Sequence, residues 1–206
     1  MNRVALLIGA ALALFISASA TVAKAECKLV IGVITDSGFI ECVSNRGIWL
    51  GTIQQNAREY LTGEWSHDCQ SQNRASYESD AEGGLNTVSK RFDEKTGQLI
   101  STAYTKFYDA RIDGDTMYTN KRITKTIDKD GKDTMIGDDG RPRKLLYIAS
   151  AQKLIGNNKM KISDATMVII FTNTDDVVVK DEIKDGKTVK DNIDTPIIAK
   201  CTPRSK

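Results

Sequence analysis

The feature that most constrains this fold is a series of short alternating segments between residue 86 and residue 201. In each segment β-branched, aromatic or aliphatic residues alternate with polar ones, and Gly, Asn and Asp separate the segments. Asp113-Gly114, between two of them, is a strong signal for a two-residue hairpin turn. This pattern predicts strands over residues 86–92, 99–112, 117–127, 144–155, 160–171, 177–183, 187–193 and 197–201.

Strands joined mostly by tight turns favour an antiparallel arrangement. Such a series avoids exposed edges when it closes on itself. We therefore predict a mainly β fold, an up-and-down antiparallel barrel of about eight strands. A β-sandwich is the alternative, because the same periodicity fits two stacked sheets. Within residues 99–112, simple alternation places one set of side chains on a common face: Ile100, Tyr104, Tyr108, Ala110 and Ile112.

One amphipathic helix is predicted before the barrel. Its apolar residues recur at helical spacing and are Trp49, Ile53, Ala57, Tyr60 and Leu61. Asn45 can cap the start of this helix and Gly63 can end it. The apolar face is narrow and its polar side is not rich in lysine, which favours packing against the core over binding to a membrane surface.

Residues 1–25 have the composition of a secretory signal peptide. Arg3 precedes an apolar run over residues 4–16, and small residues suited to cleavage follow at 18–20 and 23–25. We expect removal of this segment, an N-terminal arm or hairpin over 26–47, and a helix-plus-barrel domain over 48–206. The expected location is exported, either periplasmic or extracellular, with no stable membrane insertion after the signal is removed.

The charge balance argues against nucleic acid as a partner. The chain has 29 Lys and Arg against 27 Asp and Glu, and the signal segment contains Arg3 and Lys24. The remaining chain is formally neutral with interspersed charges, which provides little attraction for a phosphate backbone.

All four cysteines follow the signal segment, at Cys27, Cys42, Cys69 and Cys201. In an oxidising compartment an even number of cysteines predicts two disulfides, for which three connectivities exist.

The stretch from Gly63 to Cys69 (Gly-Glu-Trp-Ser-His-Asp-Cys) resembles the Gly-x-Trp start of lipocalin-type barrels. Together with 184–187, Thr195-Pro196 and Lys200-Cys201, it is similar to small exported bacterial proteins of lipocalin-like type, most of them uncharacterised. The resemblance extends over about residues 48–201. The chain departs from a typical lipocalin in having no predicted helix after the barrel.

The resemblance implies that the first and last strands are neighbours, so that Cys69 pairs with Cys201 and Cys27 with Cys42. A regular hairpin over the arm would not align Cys27 with Cys42, which leaves the pairing Cys27–Cys201 with Cys42–Cys69 as an alternative. A barrel of this type also implies a buried Trp65 at one end.

Catalytic and metal-binding signals are weak. His67-Asp68 is the one adjacent base and carboxylate, but neighbours on a strand point to opposite faces and no nucleophile motif accompanies them. The acidic segment 128–133 lacks calcium-loop spacing, because Lys132 and Asp133 stand where an oxygen ligand and Gly are needed. We predict no catalytic residue, no metal and no cofactor.

Small barrels are either filled by side chains or hold one ligand; the sequence leaves both open, and we favour a filled interior. If a cavity exists, we expect aromatic residues together with Met117 or Met167 to line it, the aromatic residues being Trp65, Tyr104, Tyr108, Tyr118, Tyr147 and Phe171. The favoured hypothesis is a non-enzymatic protein that binds a small apolar ligand or a protein partner. The alternatives are an inhibitor of another enzyme that presents the loop 128–140, and a hydrolase that uses His67. The oligomeric state is left open.

Overall fold

The computed structural model describes residues 52–156, 158–174 and 177–202, apart from the side chains of Val177 and Val179. The predicted signal, the N-terminal arm and Trp49 lie outside these residues, as do Cys27 and Cys42. The elements are α1 (Gln55–Leu61), β1 (Gly63–Ser66), β2 (Arg74–Ser79), β3 (Leu85–Phe92), β4 (Leu99–Asp113), β5 (Thr116–Asp128), β6 (Lys144–Leu154), β7 (Lys159–Phe171), β8 (Val177–Lys184), β9 (Lys187–Thr188) and β10 (Ile197–Cys201).

The strands form a closed antiparallel barrel. Each strand from β1 to β8 pairs with the next one along the chain, and β10 closes the ring by pairing with both β1 and β7. The ring contains eight strands, β1 to β7 and β10, while β8 and β9 extend from one edge of β7. That edge is divided, because residues 159–161 pair with β10 and residues 165–170 pair with β8. The barrel prediction is confirmed.

Most predicted strands are present with bounds close to those expected. One predicted strand is only partly present, and the observed strand β2 was not predicted. The sequence pattern missed β2, whose six residues include one buried side chain, Tyr77. The predicted strand 187–193 is wrong beyond Thr188. There the chain turns, with Asn192 at a positive φ of 52° and its N–H donating to the Thr188 carbonyl at 3.0 Å.

The short helix α1 closes one end of the barrel. Its Ala57 and Leu61 are fully buried against the inward side chains of the strands. Trp65 is also buried, and its indole Nε1–H donates to the Leu61 carbonyl at 2.6 Å, which confirms its expected position at the barrel end. The core around them consists of Tyr77, Leu85, Phe107, Ala110, Met117 and Met160.

A β-bulge reverses the faces along β4. Phe107 pairs with Lys121, but Asp109 pairs with Asn120, so Tyr108 is an extra residue in the strand. Tyr104 therefore lies on the outer face of the barrel, whereas Ala110 and the following Ile112 pack in the core. The prediction of one continuous face from Ile100 to Ile112 is wrong, because simple alternation does not allow for a bulge.

A disulfide joins the ends of the barrel domain. Cys69 follows β1 and Cys201 ends β10, and the two are bonded with their Cα atoms 5.4 Å apart. This is the pairing that the lipocalin-like resemblance implied, and it rules out the alternative in which Cys69 pairs with Cys42. Within the described ranges, we find no helix with the length and apolar character needed to cross a membrane.

Candidate functional site

A cavity of about 740 Å³ lies among β5, β6, β7, β8 and the segment after β9. This volume falls within the roughly 300–1,000 Å³ typical of small-molecule sites. Its lining residues are Lys121, Ile148, Ser150, Gln152, Ile162, Ala165, Met167, Lys180, Asp181, Glu182, Ile183, Thr188, Val189, Lys190 and Asp191.

Strand register places this cavity inside the barrel. The core residue Phe107 pairs with Lys121, which pairs with Ile148, which in turn pairs with Met167. Directly paired residues share a face of the sheet, so the lining residues of these strands point to the same side as the core. The cavity thus lies on the inner face of the sheet, at the end of the barrel where β7 pairs with β8 instead of β10.

The inner end of the cavity is polar. Met117, which is fully buried next to α1, pairs with Gln152. The Gln152 amide Nε2 donates to Ser150 Oγ at 3.0 Å, and Ser150 Oγ lies 2.8 Å from Thr119 Oγ1. Gln152 is 5% exposed, and its Oε1 has no hydrogen-bond partner among the residues that the structure describes. The inner end of the cavity therefore includes a buried acceptor that is not satisfied by the described residues.

Lys121 places an amine in the same interior. Its Nζ lies 5.5 Å from the centre of the Phe107 ring, and burial lowers the pKa of Lys121 to about 8. Across the described parts of the chain, no carboxylate lies within ion-pair distance of this amine. A desolvated ammonium with no counter-ion is unfavourable, which is why the neutral amine gains stability here.

The walls and the rim of the cavity differ in character. Apolar, half-buried side chains form the walls, namely Ile148, Ile162, Ala165, Met167 and Ile183. The rim is exposed to solvent and carries charges of both signs on β8 and on the segment that follows β9. Val189 stands in this rim with 54% of its surface exposed. The opening is therefore at the β8–β9 side, away from α1.

The predicted lining differs from the observed one. Neither the predicted aromatic residues nor Met117 line this cavity, whereas Met167 does. Trp65 and Met117 belong to the packed core, and Phe171 is half-buried beyond Met167 on the inner face of β7. The remaining four point to the face of the sheet opposite the cavity, where Tyr104 is exposed, Tyr108 and Tyr118 are half-buried and Tyr147 is fully buried.

Sequence reasoning missed three polar residues of this site: Lys121, Ser150 and Gln152. A lysine or glutamine in a strand normally marks the solvent face. Alternation along β5 could have identified Lys121. It lies four residues after Met117, and residues an even number of positions apart in a strand share a face of the sheet.

The other sequence candidates lie apart from the cavity. His67 and Asp68 are both exposed, and Asp68 Oδ1 accepts the backbone N–H of Gln70 at 2.8 Å rather than orienting the imidazole. In the acidic loop, Asp128 Oδ1 accepts the backbone N–H groups of Asp130 and Lys132, each at 2.9 Å. No cluster of three or more potential metal ligands exists in the described ranges.

The fold and the cavity define a class, a closed eight-stranded antiparallel barrel with a partly hollow interior. Comparison with protein families, with curated proteins and with solved structures gives no significant match.

Proposed function

We propose that this protein is a non-enzymatic, lipocalin-like binding protein that holds one small, mainly apolar ligand inside the barrel. The observation that carries this proposal is the cavity of about 740 Å³ on the inner face of β5 to β8. Protein interiors are normally close-packed, and a void of this size forfeits the contacts that packed side chains would make. A ligand that fills the void would restore those contacts.

The way in which the barrel is built supports binding in this position. Helix α1 and Trp65 close one end of the barrel with a packed core, so the inner end of the site is closed and well packed. The rim around Val189 is exposed and provides an entrance. The disulfide between Cys69 and Cys201 is of the kind that persists in oxidising compartments. We accordingly place this function outside the cytoplasm, in the periplasm or the medium.

A direct test uses N-phenylnaphthylamine, an uncharged probe whose fluorescence rises in apolar surroundings. Ala165 lines the cavity, and its neighbour Thr166 points to the opposite face of β7. The variants A165F and T166F therefore add similar bulk to the inside and to the outside of the same strand. We expect wild type and T166F to bind the probe, and A165F to bind it at least about tenfold more weakly, a difference of about 1.4 kcal/mol.

Circular dichroism checks that both variants keep the β fold. If folded A165F binds the probe as well as wild type does, the ligand does not occupy the barrel interior and the proposal fails. If folded wild type does not bind the probe, and native mass spectrometry of protein purified from its host shows no bound small molecule, the carrier function is equally refuted.

A further inference from the structure

We propose that the ligand is an amphipathic anion whose acidic head group binds the ammonium of Lys121 and whose apolar part lies along the cavity walls. This inference rests on the proposed function, and it adds the chemical class of the ligand. The geometry that carries it is a lysine that points into the barrel interior beside a polar inner end and between apolar walls.

The charge of Lys121 favours an anionic ligand. Several lysines of the described chain have a carboxylate partner, for example Lys153 with Asp115 at 3.2 Å. Lys121 lines the cavity instead, with an aromatic ring at 5.5 Å and no carboxylate of the described residues within ion-pair distance. Lys121 is half-buried, and an ammonium that is partly withdrawn from water is destabilised unless a counter-charge offsets its desolvation. An anionic ligand would supply that counter-charge.

The arrangement of polar and apolar groups along the cavity favours an amphipathic ligand. Along the paired strands, Gln152 lies nearest the packed core, Ser150 comes next, and Ile148 follows opposite Lys121. Hydroxyl and amide groups thus occupy the inner end, while the walls towards the rim include Met167 and Ile183. Such a gradient fits a molecule that enters with its polar head first and leaves its apolar tail towards the opening.

Charges at the rim do not provide an alternative site for the head group. The charged side chains that line the cavity besides Lys121 are Lys180, Asp181, Glu182, Lys190 and Asp191. Four of these five are exposed, and both signs are interspersed. Solvent and salt screen exposed charges, so selectivity for an anion is expected to depend on Lys121.

The experiment compares dodecanoate with dodecanol as competitors of N-phenylnaphthylamine at neutral pH and at concentrations below micelle formation. The two compounds have the same chain and differ in the charge of the head group. We expect wild type to bind dodecanoate at least about tenfold more tightly than dodecanol, which corresponds to about 1.4 kcal/mol.

The variant K121M removes the charge but retains a side chain of similar length. We expect K121M to lose the preference for dodecanoate while it still binds the probe and dodecanol. K121R keeps a positive charge and is expected to retain a preference for the acid. A change due only to altered packing would affect the acid and the alcohol alike, and K121R would not differ from K121M.

The outcomes separate the two proposals. If wild type binds dodecanol and dodecanoate equally, or if K121M keeps the preference for the acid, the anionic class is wrong and the carrier function stands. If the probe, the alcohol and the acid all fail to bind folded wild type, the proposed function itself is refuted, and this inference fails with it.

Discussion

The disulfide between Cys69 and Cys201 should make a large contribution to stability, and replacing both cysteines with alanine tests this. The bond joins residues 132 positions apart, and so it closes most of the barrel domain into one loop. Replacing both partners avoids leaving a single thiol that could exchange with another cysteine.

The expected loss follows from chain entropy. A cross-link that closes a loop of this length removes conformational freedom from the unfolded chain worth about 5 kcal/mol. The strand pairing between the two ends of the barrel offsets little of this loss, because β10 pairs with β1 and with β7 over three residue pairs each. The free energy of unfolding of the C69A/C201A variant should therefore fall by about 3–5 kcal/mol, a large fraction of the roughly 5–15 kcal/mol typical of a domain.

Guanidinium denaturation followed by circular dichroism measures this loss. The matched control is C27A/C42A, which removes the other two cysteines. If those two are paired as predicted, their bond closes a loop of only about 15 residues and its loss should cost about 3 kcal/mol. A loss below about 1 kcal/mol for C69A/C201A would refute the entropic reasoning.

Two further predictions concern the barrel interior. W65A should lower the free energy of unfolding by about 3–5 kcal/mol. W65F should lower it by about 1–3 kcal/mol, because the Leu61 carbonyl loses its hydrogen-bond donor. If chemical denaturation finds both variants as stable as wild type, the packing of Trp65 at the barrel end does not contribute to stability as inferred. The pKa of Lys121 is lowered to about 8 from its ordinary value of 10.5, so between these values the unfolded chain binds more protons and wild-type stability should rise with pH. K121M should reduce this rise, to which the lowered pKa of Lys200 also contributes, and should be more stable than wild type at neutral pH by about 1–3 kcal/mol, allowing for partial hydration of the cavity. Burial raises the pKa of Tyr77 to about 12, which lowers stability above about pH 10; denaturation series should therefore stay below that pH, and identical slopes for K121M and wild type would disprove the Lys121 effect.

The sequence was sufficient for the architecture because strand periodicity and turn residues are local signals. Gly114 illustrates this, since it has a positive φ of 59° in the two-residue connection between β4 and β5. Such tight connections favour antiparallel pairing of consecutive strands, and closing the sheet into a barrel removes its exposed edges. By contrast, β2 is almost entirely polar and half-exposed, so its pattern did not stand out from a loop.

The cavity was much harder to predict. The bulge at Tyr108 depends on the register between two strands, and alternation in one strand cannot reveal it. Most of the aromatic residues expected to line a cavity point instead to the opposite face of the sheet or belong to the packed core. Lys121 and Gln152 look like surface residues in the sequence, and only their pairing with Phe107 and Met117 shows that they face inward.

The order of strands around the ring also has a consequence for folding. Each strand from β1 to β9 pairs with its neighbour in the chain, whereas Glu64 in β1 pairs with Cys201 in β10. Hairpins form in about 1–10 μs, but in the reduced chain, where no Cys69–Cys201 bond holds β1 and β10 together, joining the two ends requires closure of the whole barrel domain. We therefore expect this final pairing to form last and to limit the folding rate, and amide protons of β1 and β10 to exchange before those of β4 and β5.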